Sequence, residues 1–448
     1  MKKISFLNRL IEILILLIPI LLISGPFLSD LSIALSCILI FFIKEKSLFP
    51  FFWKSPLIKG FFLFYLYIIF CSLIMPFADN YFIKSFIPSF FYIRFLIFIV
   101  VFYFLFYNNR KFSLNIFYIL LSILLILFID INSEYFLKKN ILGYNFNGVR
   151  IQSLFGDEWI AGSYISYILP LVVSLFFINK KKRKFLIFKF KYDESYVFVI
   201  IFISIFLVLL TGERSALFST LLYSLLIISF LNFDLKKKII FFGIIIFTFL
   251  LSLSYLKPTY ERVFKQTLQQ LNIYSPNYKK DHQLIFETGF KIYIDNKIFG
   301  SGLKGFRNQC QKDEYYIEGG CTTHPHNFYI QFLSELGLIG FSFLVSTFLI
   351  LFLIIFVRIK NFYFFNLNKK IFNNEIMSIL IGLFVCLFPL KTHGSFFNNW
   401  LSICLYLQIS LLIATYLGPI KKIKNLKMHN RIKLKRNDKK NSKRIIKK

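Results

Sequence analysis

The sequence predicts an all-α, polytopic integral membrane protein. Of its 448 residues, 57% are hydrophobic, and the mean hydropathy is +0.65. The apolar residues form long runs that lack the alternation of a barrel strand, and a helix needs roughly 20 such residues to cross the hydrocarbon. Helices and closed barrels are the two structures that satisfy backbone polar groups inside a bilayer. The runs therefore indicate membrane-spanning helices.

Taken in chain order, the runs predict twelve spans, with a large helical outer loop before the tenth. Residues 1–131 hold the first five transmembrane helices. Residues 132–420 form the main membrane domain, which includes the outer loop 257–334, and residues 421–448 form a basic tail. The predicted spans lie near residues 9–24, 27–43, 57–76, 89–107, 112–131, 159–178, 195–211, 215–231, 238–256, 335–357, 376–390 and 398–418.

The basic residues indicate the orientation. Lys and Arg accumulate in cytoplasmic loops, and most of the 54 in this chain fall in alternate loops on the side of the N-terminus. This pattern places both termini in the cytoplasm. The net charge of +32 is also compatible with a nucleic-acid partner. Attraction of the tail to anionic inner-leaflet lipids, at about 1 kcal/mol per basic residue, is the simpler interpretation. We therefore expect membrane lipids, and no nucleic acid, as partners.

Two outer segments, 132–158 and 257–334, are long enough to carry a site. The longer one contains an amphipathic piece over residues 281–298 and is predicted to form a cap of short helices. The face of this piece is expected to consist of His282, Phe286, Phe290 and Tyr293.

Cys310 and Cys321 also lie in the longer loop. An oxidising compartment would allow a disulfide between them, worth about 3 kcal/mol in the chain-entropy model. A metal site is the weaker interpretation, because no second Cys pair accompanies them. The other four cysteines lie in predicted spans, where they indicate packing.

The stretch 321–340 predicts a helix that begins in water and then enters the bilayer. Pro325 is tolerated in a first turn, and Thr322 or Thr323 can cap that turn. A polar stripe recurs at every fourth position and precedes an almost uninterrupted apolar run; its members are Asn327, Gln331 and Glu335.

His324 and His326 flank Pro325 at this predicted helix mouth. A helix N-terminus favours the neutral imidazole, which can take a proton from an attacking hydroxyl. A capping or water-exposed histidine explains the same positions equally well. Elsewhere, His282 is more typical of a structural residue, and His393 either lines a site or faces water. His429 belongs to the basic tail.

Lys is the common cation of this chain, so the arginines outside the spans are more informative. These are Arg150, Arg214, Arg262 and Arg307. Arg214 lies in a tight turn between two spans, at headgroup depth, where its guanidinium can hold phosphate oxygens bidentately. The alternative is an ordinary interfacial arginine that pairs with Glu213 or reaches a lipid.

At this point the motifs resemble a known family. The segment 325–340, PHNFYIQFLSELGLIG, is similar to the HN-x-x-LQ-x-x-x-E-x-G-x-x-G signature of the O-antigen ligase family. That family also includes O-antigen polymerases and protein O-oligosaccharyltransferases. The resemblance covers about residues 140–415. Three further segments match in the family's order: Arg150 with the following 154–157 (LFGD), residues 211–216 (TGERSA), and residues 296–306 (NKIFGSGLKGF).

The resemblance implies inverting, metal-independent glycosyl transfer without a cofactor, on the periplasmic side of a bacterial inner membrane. The donor would be a glycan on undecaprenyl pyrophosphate, and the acceptor a sugar hydroxyl of lipid A-core or of another glycan. His326 would act as general base, with Asn327 and His324 in supporting roles.

The resemblance also implies that arginines hold the pyrophosphate. Arg214 and Arg150 match family motifs directly. The second family arginine has no sharp motif here, so we place it at Arg262 by position, with Arg307 as the rival. Lys297 and Ile298 stand where the family's turn begins with proline.

Three classes of function follow. The first is an O-antigen ligase. The second is a transferase with the same donor and another acceptor, either an O-antigen polymerase or a protein O-oligosaccharyltransferase. The third is a membrane transporter, which would require ionisable groups at mid-membrane. The predicted spans are nearly free of charge apart from Arg94, and this favours the transferases.

Overall fold

The computed structural model describes residues 6–43, 55–74, 81–109, 111–181, 193–231, 233–267, 281–363 and 373–417. These residues are predominantly helical and contain no β-strand. Fourteen helices of ten or more residues run in chain order: α1 Phe6–Leu21, α2 Pro26–Leu39, α3 Pro56–Leu73, α4 Tyr81–Phe91, α5 Ile93–Asn108, α6 Phe112–Leu137, α7 Ala161–Lys181, α8 Tyr196–Thr211, α9 Arg214–Phe230, α10 Leu235–Tyr255, α11 Asp281–Asp295, α12 Phe328–Tyr363, α13 Asn374–Cys386 and α14 Asn399–Leu417.

Every hydrophobic run predicted as a span coincides with a helix. By length and composition, six helices of the described chain can cross a bilayer on their own: Pro56–Leu73, Phe82–Asn108, Phe112–Leu137, Ala161–Lys180, Phe328–Lys360 and Asn399–Leu417. Four other apolar helices are shorter, at 10–17 residues. The protein is therefore an all-helical membrane protein, while the count of twelve spans and the outer loop remain predictions. The basic tail 421–448 lies outside the described residues.

α7 is the centre of the helix bundle. It packs against α6, α8, α9 and α13, and most of its length is buried. Pro170 lies inside α7 and removes one backbone hydrogen bond. Neighbouring helices supply polar groups at this break: the Ser378 hydroxyl of α13 donates to the Pro170 carbonyl at 2.9 Å, and Gln408 of α14 donates to the Tyr167 carbonyl at 3.0 Å. Side-chain hydrogen bonds thus join the three helices near Pro170.

Arg94, a basic residue inside a predicted span, is paired. Its Nε donates to Asp30 of α2 at 2.6 Å, and its Nη2 donates to Asn399 at the start of α14 at 3.0 Å. Asn399 in turn donates to the other Asp30 oxygen at 3.0 Å. A buried charge is tolerated when it is paired and hydrogen-bonded. This triad joins α2, α5 and α14.

The segment 257–334, predicted to lie outside the membrane and called the outer loop below, contains a small hydrophobic core of its own. Ile285 and Ile292 of α11 pack with Phe306 and Tyr315. The predicted face of α11 was wrong, because Phe290 is 51% exposed whereas Ile285 and Ile292 are buried. A disulfide joins Cys310 and Cys321, whose Cα atoms lie 5.2 Å apart, and both cysteines belong to this core.

α12 is broken at Gly337. This glycine has φ 64°, and the N–H of Leu338 donates to the Lys297 carbonyl at 2.8 Å instead of continuing the helix. A Cβ at Gly337 would overlap the Ile298 carbonyl, and one at Gly300 would overlap the backbone of Glu335. Two sequence motifs, 296–306 and 325–340, therefore meet backbone to backbone. The expectation of one uninterrupted helix from the polar stripe into the bilayer was wrong.

Candidate functional site

Asn327 is the residue that starts α12. Its Oδ1 accepts the backbone N–H groups of Tyr329 and Ile330 at 2.9 and 3.3 Å, and its Nδ2 donates to the Pro389 carbonyl at 2.9 Å. The prediction that Thr322 or Thr323 caps a turn containing Pro325 was wrong. These threonines instead hold the preceding turn, where the Thr323 hydroxyl lies 2.9 Å from Nδ1 of His324 and that of Thr322 donates to the His324 carbonyl.

His326 lies immediately before this cap in a left-handed backbone conformation, with φ 54°. Such a conformation costs a non-glycine residue about 1–2 kcal/mol, so the surroundings must hold it. One such contact is the N–H of His393, which donates to the His326 carbonyl at 2.9 Å. The ring centroid of His326 lies 4.2 Å from that of His324 and 5.5 Å from that of His282. Three imidazoles are thus clustered at the mouth of α12.

His324 and His326 both have lowered pKa values, which favours their neutral forms. Burial, followed by repulsion from His282, lowers the pKa of His326. Burial and the nearby His326 lower the pKa of His324 to about 4. A neutral imidazole has a lone pair available, which is the form that accepts a proton. In the described residues no group of three or more His, Cys, Asp or Glu is arranged to hold a metal ion.

Three arginines form a second cluster around the turn between α8 and α9. Gly212 in this turn has φ 70°, and a Cβ there would lie 3.2 Å from the Val149 carbonyl and 3.5 Å from Cγ of Arg262. Arg150 follows Val149, and Arg214 lies within electrostatic range of both Arg150 and Arg262. Burial and the charge of Arg150 lower the pKa of Arg262. We call Arg150, Arg214 and Arg262 the arginine cluster.

Glu213 is the carboxylate at this cluster. Its oxygens accept the N–H of Gly162 at 2.6 Å and the hydroxyl of Ser163 at 2.6 Å at the start of α7. One oxygen lies 3.8 Å from Nη2 of Arg150, the only ion pair of the cluster within the described chain. Glu213 therefore pairs with Arg150 and not with Arg214, against the alternative drawn from the sequence. The three guanidinium groups thus have one ion pair among them, and positive charge remains in excess.

Among the described residues, two of the guanidinium groups have N–H donors that remain free to bind a ligand. The Nε atoms of Arg150 and Arg262 are buried and have no hydrogen-bond partner within the described chain. Nη2 of Arg150 donates to the Trp159 carbonyl at 2.7 Å, and Nη1 of Arg214 donates to Thr267 at 3.3 Å. Buried, unpaired donors next to excess positive charge suit an anion with several oxygens.

Arg307 lies elsewhere. It belongs to the one-turn helix Phe306–Gln309 in the outer loop, and it acts electrostatically on His324, Lys304 and Glu335. The structure thus brings Arg262, and not Arg307, together with Arg150 and Arg214.

The segment 391–395, between α13 and α14, connects the two clusters. The Ser215 hydroxyl, next to Arg214, donates to the Thr392 carbonyl at 2.7 Å. The next residue, His393, donates its N–H to the His326 carbonyl. The start of α9 and His326 therefore contact two consecutive residues, Thr392 and His393, whose Cα atoms are about 3.8 Å apart. Sequence reasoning left His393 undecided and missed this connection, although polar residues between two predicted spans were a signal.

A cavity of about 590 Å³ lies beside this segment. Its wall includes Ser163 of α7, Ser215 of α9, Lys391 and Trp400, and it reaches the turn between α1 and α2. The side chains of the arginine cluster and of His326 do not line it.

Residues 199–345 match the family described as O-antigen ligase. The match runs from α8 into α12 and includes Arg214, Arg262 and His326, whereas Arg150 and the segment 391–395 lie outside it. No curated protein matches the chain.

Proposed function

Because residues 199–345 match the O-antigen ligase family, we propose that the chain transfers a glycan from undecaprenyl pyrophosphate to a sugar hydroxyl of lipid A-core. The reaction takes place on the periplasmic face of a bacterial inner membrane. The observation that carries this proposal is the connection of the arginine cluster and His326 through Thr392 and His393. A cationic site for a leaving group and a neutral imidazole are thereby linked through two consecutive residues of one segment.

His326 acts as the general base. Its neutral ring takes the proton of the acceptor hydroxyl as that oxygen attacks the anomeric carbon of the donor. The bond between that carbon and the pyrophosphate oxygen breaks on the opposite face of the sugar, so the configuration inverts. The bonding electron pair leaves with undecaprenyl pyrophosphate, and the proton on His326 passes to solvent.

The arginine cluster stabilises the departing pyrophosphate. Negative charge grows on the leaving oxygens, and Arg214 and Arg262 present their guanidinium groups to it in a partly buried site. Arg150, positioned by Glu213 and the Trp159 carbonyl, supplies the third charge. The excess of two positive charges over Glu213 complements a pyrophosphate diester, which carries about two negative charges.

Asn327 and His324 support His326. Asn327 fixes the first turn of α12 directly after His326 and ties it to the Pro389 carbonyl. The His324 ring packs 4.2 Å from His326 and stays uncharged at neutral pH, so it places no repelling positive charge beside the base.

A lipopolysaccharide gel tests the proposal. The gene is deleted in its host and restored as wild type or as His326→Ala. Deletion should leave unsubstituted core while lipid-linked long chains accumulate, and His326→Ala should insert at normal levels yet fail to restore the ladder. His429→Ala, a histidine of the predicted tail, is the matched control and should restore it.

Each other outcome has a definite meaning. Core that carries a single repeat unit after deletion identifies a polymerase. An unchanged ladder points to another acceptor, such as a protein, or rejects the glycan role. A full ladder with His326→Ala removes His326 from the mechanism.

A further inference from the structure

The proposed mechanism does not involve the cavity beside the segment 391–395. Its volume of about 590 Å³ falls within the range of small-molecule sites, about 300–1,000 Å³. Its wall combines serine hydroxyls from two helices with four aromatic side chains and one lysine. The residues that carry the argument are Ser163, Tyr167, Ser219, Lys391, His393 and Trp400.

Lys391 is the cation of this cavity. Its Nζ donates to the Ser219 hydroxyl at 3.0 Å and lies 5.9 Å from the centre of the Tyr167 ring. No carboxylate of the described chain forms an ion pair with it. The acid that lines the same cavity, Glu158, is exposed to solvent. Burial lowers the pKa of Lys391, so an anion in the cavity would stabilise its charged form.

The aromatic and hydroxyl groups of the wall suit a sugar ring. Trp400 is buried, and its indole N–H donates to the Leu22 carbonyl at 3.1 Å, which fixes the ring. A pyranose packs its C–H face on such a ring and directs its hydroxyls to polar neighbours. Nε2 of His393 lies 3.0 Å from the Cys386 carbonyl and must donate to it, so the unpaired Nδ1 is an acceptor.

From this arrangement we infer that the cavity binds a sugar residue that carries an anionic group, and that Lys391 recognises the anion. The inference rests on the proposed function, since the sugar belongs to a substrate of the same reaction. The anionic group is a carboxylate or a phosphate on that sugar, and either fits a single ammonium donor. The Ser215 to Thr392 hydrogen bond places this cavity directly against the start of the helix that carries Arg214.

Binding of free sugars to the purified full-length protein in detergent tests the inference. Dissociation constants for glucuronate, glucose 1-phosphate and glucose are measured by ligand-observed NMR. We expect at least one anionic sugar to bind about tenfold more tightly than glucose, the effect of one charge-assisted hydrogen bond. Lys391→Met should abolish that difference and leave the binding of glucose nearly unchanged.

Lys312→Met is the matched control, because Lys312 is exposed in the outer loop and remote in sequence from the cavity; it should behave as wild type. A preference for glucuronate identifies a sugar carboxylate as the anion, and one for glucose 1-phosphate identifies a sugar phosphate. Equal binding of all three sugars, or a preference that survives Lys391→Met, overturns the inference. So does inorganic pyrophosphate that displaces the sugars in wild type but not in Arg214→Ala, since the anion site would then be the arginine cluster.

The readout separates this inference from the proposed function. His326→Ala should lose transfer and still bind the anionic sugar with wild-type affinity. If His326→Ala retains transfer while Lys391→Met loses the anion preference, the proposed base is wrong and the cavity assignment stands. If His326→Ala loses transfer and Lys391→Met binds as wild type, the cavity assignment alone is wrong.

Discussion

His326 has a left-handed backbone conformation, and its ring packs against two other histidine rings. Its left-handed φ of 54° ends the preceding turn, and the His393 N–H and the Asn327 cap hold it on either side. The sequence motif identified His326 as the candidate base, but it gave no reason for the cluster with His282. The contact between the His282 and His326 rings depends on how α11 packs. The sequence did not predict that packing, because the buried face of α11 differs from the face we predicted.

The imidazole cluster predicts the pH dependence of transfer. A general base works in its neutral form, and the pKa of His326 is lowered by burial and by His282. The acid limb of the rate should therefore lie below pH 6.5, the ordinary value for histidine. His282→Gln removes a repelling charge and should move this limb to higher pH, with little change at pH 8. Initial rates of purified enzyme with a lipid-linked donor, from pH 5 to 8, measure it. An acid limb that stays in place in His282→Gln would contradict the coupling.

The two rival loop arginines make a matched pair. Arg262→Ala should lower kcat/KM about 10- to 100-fold, because it removes charge-assisted hydrogen bonds to the pyrophosphate worth about 1.5–3 kcal/mol. Arg262→Lys should recover only part of the loss, since an ammonium lacks the guanidinium fork. Arg307→Ala should retain most of the activity, because Arg307 lies outside the arginine cluster. The same transfer assay decides between them, and the reverse ranking would move the site into the outer loop.

At the scale of elements, the start of α12 shows what the sequence left open. Thr322, Thr323 and Asn327 are all good caps, so local propensity could not choose among them. Tertiary contacts decide: the Pro389 carbonyl binds Asn327, and the left-handed His326 prevents an earlier start. The prediction that Gln331 and Glu335 lie on the same face of the helix is confirmed, since Gln331 donates to Glu335 at 3.0 Å.

The break in α12 predicts that Gly337→Ala destabilises the protein. A left-handed backbone costs alanine about 1–2 kcal/mol, and the new Cβ would overlap the Ile298 carbonyl. The turn 296–302 must then move, and α12 with it. Thermal unfolding in detergent should occur at a lower temperature than for wild type. Gly243→Ala, in α10, meets no atom within 4 Å and should be neutral or slightly stabilising. Equal unfolding temperatures for the two variants would show that the break is not required.

At the scale of the whole molecule, hydrophobic runs predicted the positions of the helices because a long apolar run has few other structures in a bilayer. They did not predict how the helices meet. The meeting point around Pro170 of α7 could not be predicted, because Ser378, which binds the Pro170 carbonyl, and Gln408, which binds the Tyr167 carbonyl, lie more than 200 residues away in the chain. The arginine cluster was partly predicted, because each arginine was named but their proximity depends on the fold of the turn at Gly212.

The orientation of the bundle can be measured with introduced cysteines, because the native ones do not interfere. Cys37, Cys71, Cys386 and Cys404 are buried, and Cys310 is joined to Cys321. Lys291 on α11 and Lys236 at the start of α10 are both exposed, so a cysteine at either position is reachable from water. The excess of basic residues on one side predicts that Lys236 lies in the cytoplasm and Lys291 outside.

Lys291→Cys should therefore react with a membrane-impermeant maleimide in intact spheroplasts, whereas Lys236→Cys should react only after the membrane is permeabilised. The wild-type chain, with no free exposed thiol among its described residues, is the blank. If Lys236→Cys reacts first and Lys291→Cys is protected, the orientation is reversed. The His326 cluster would then face the cytoplasm, and a periplasmic lipid-linked donor could not reach it. If both cysteines react in intact spheroplasts, the chain between them does not cross the membrane an odd number of times, and α10 is not a span.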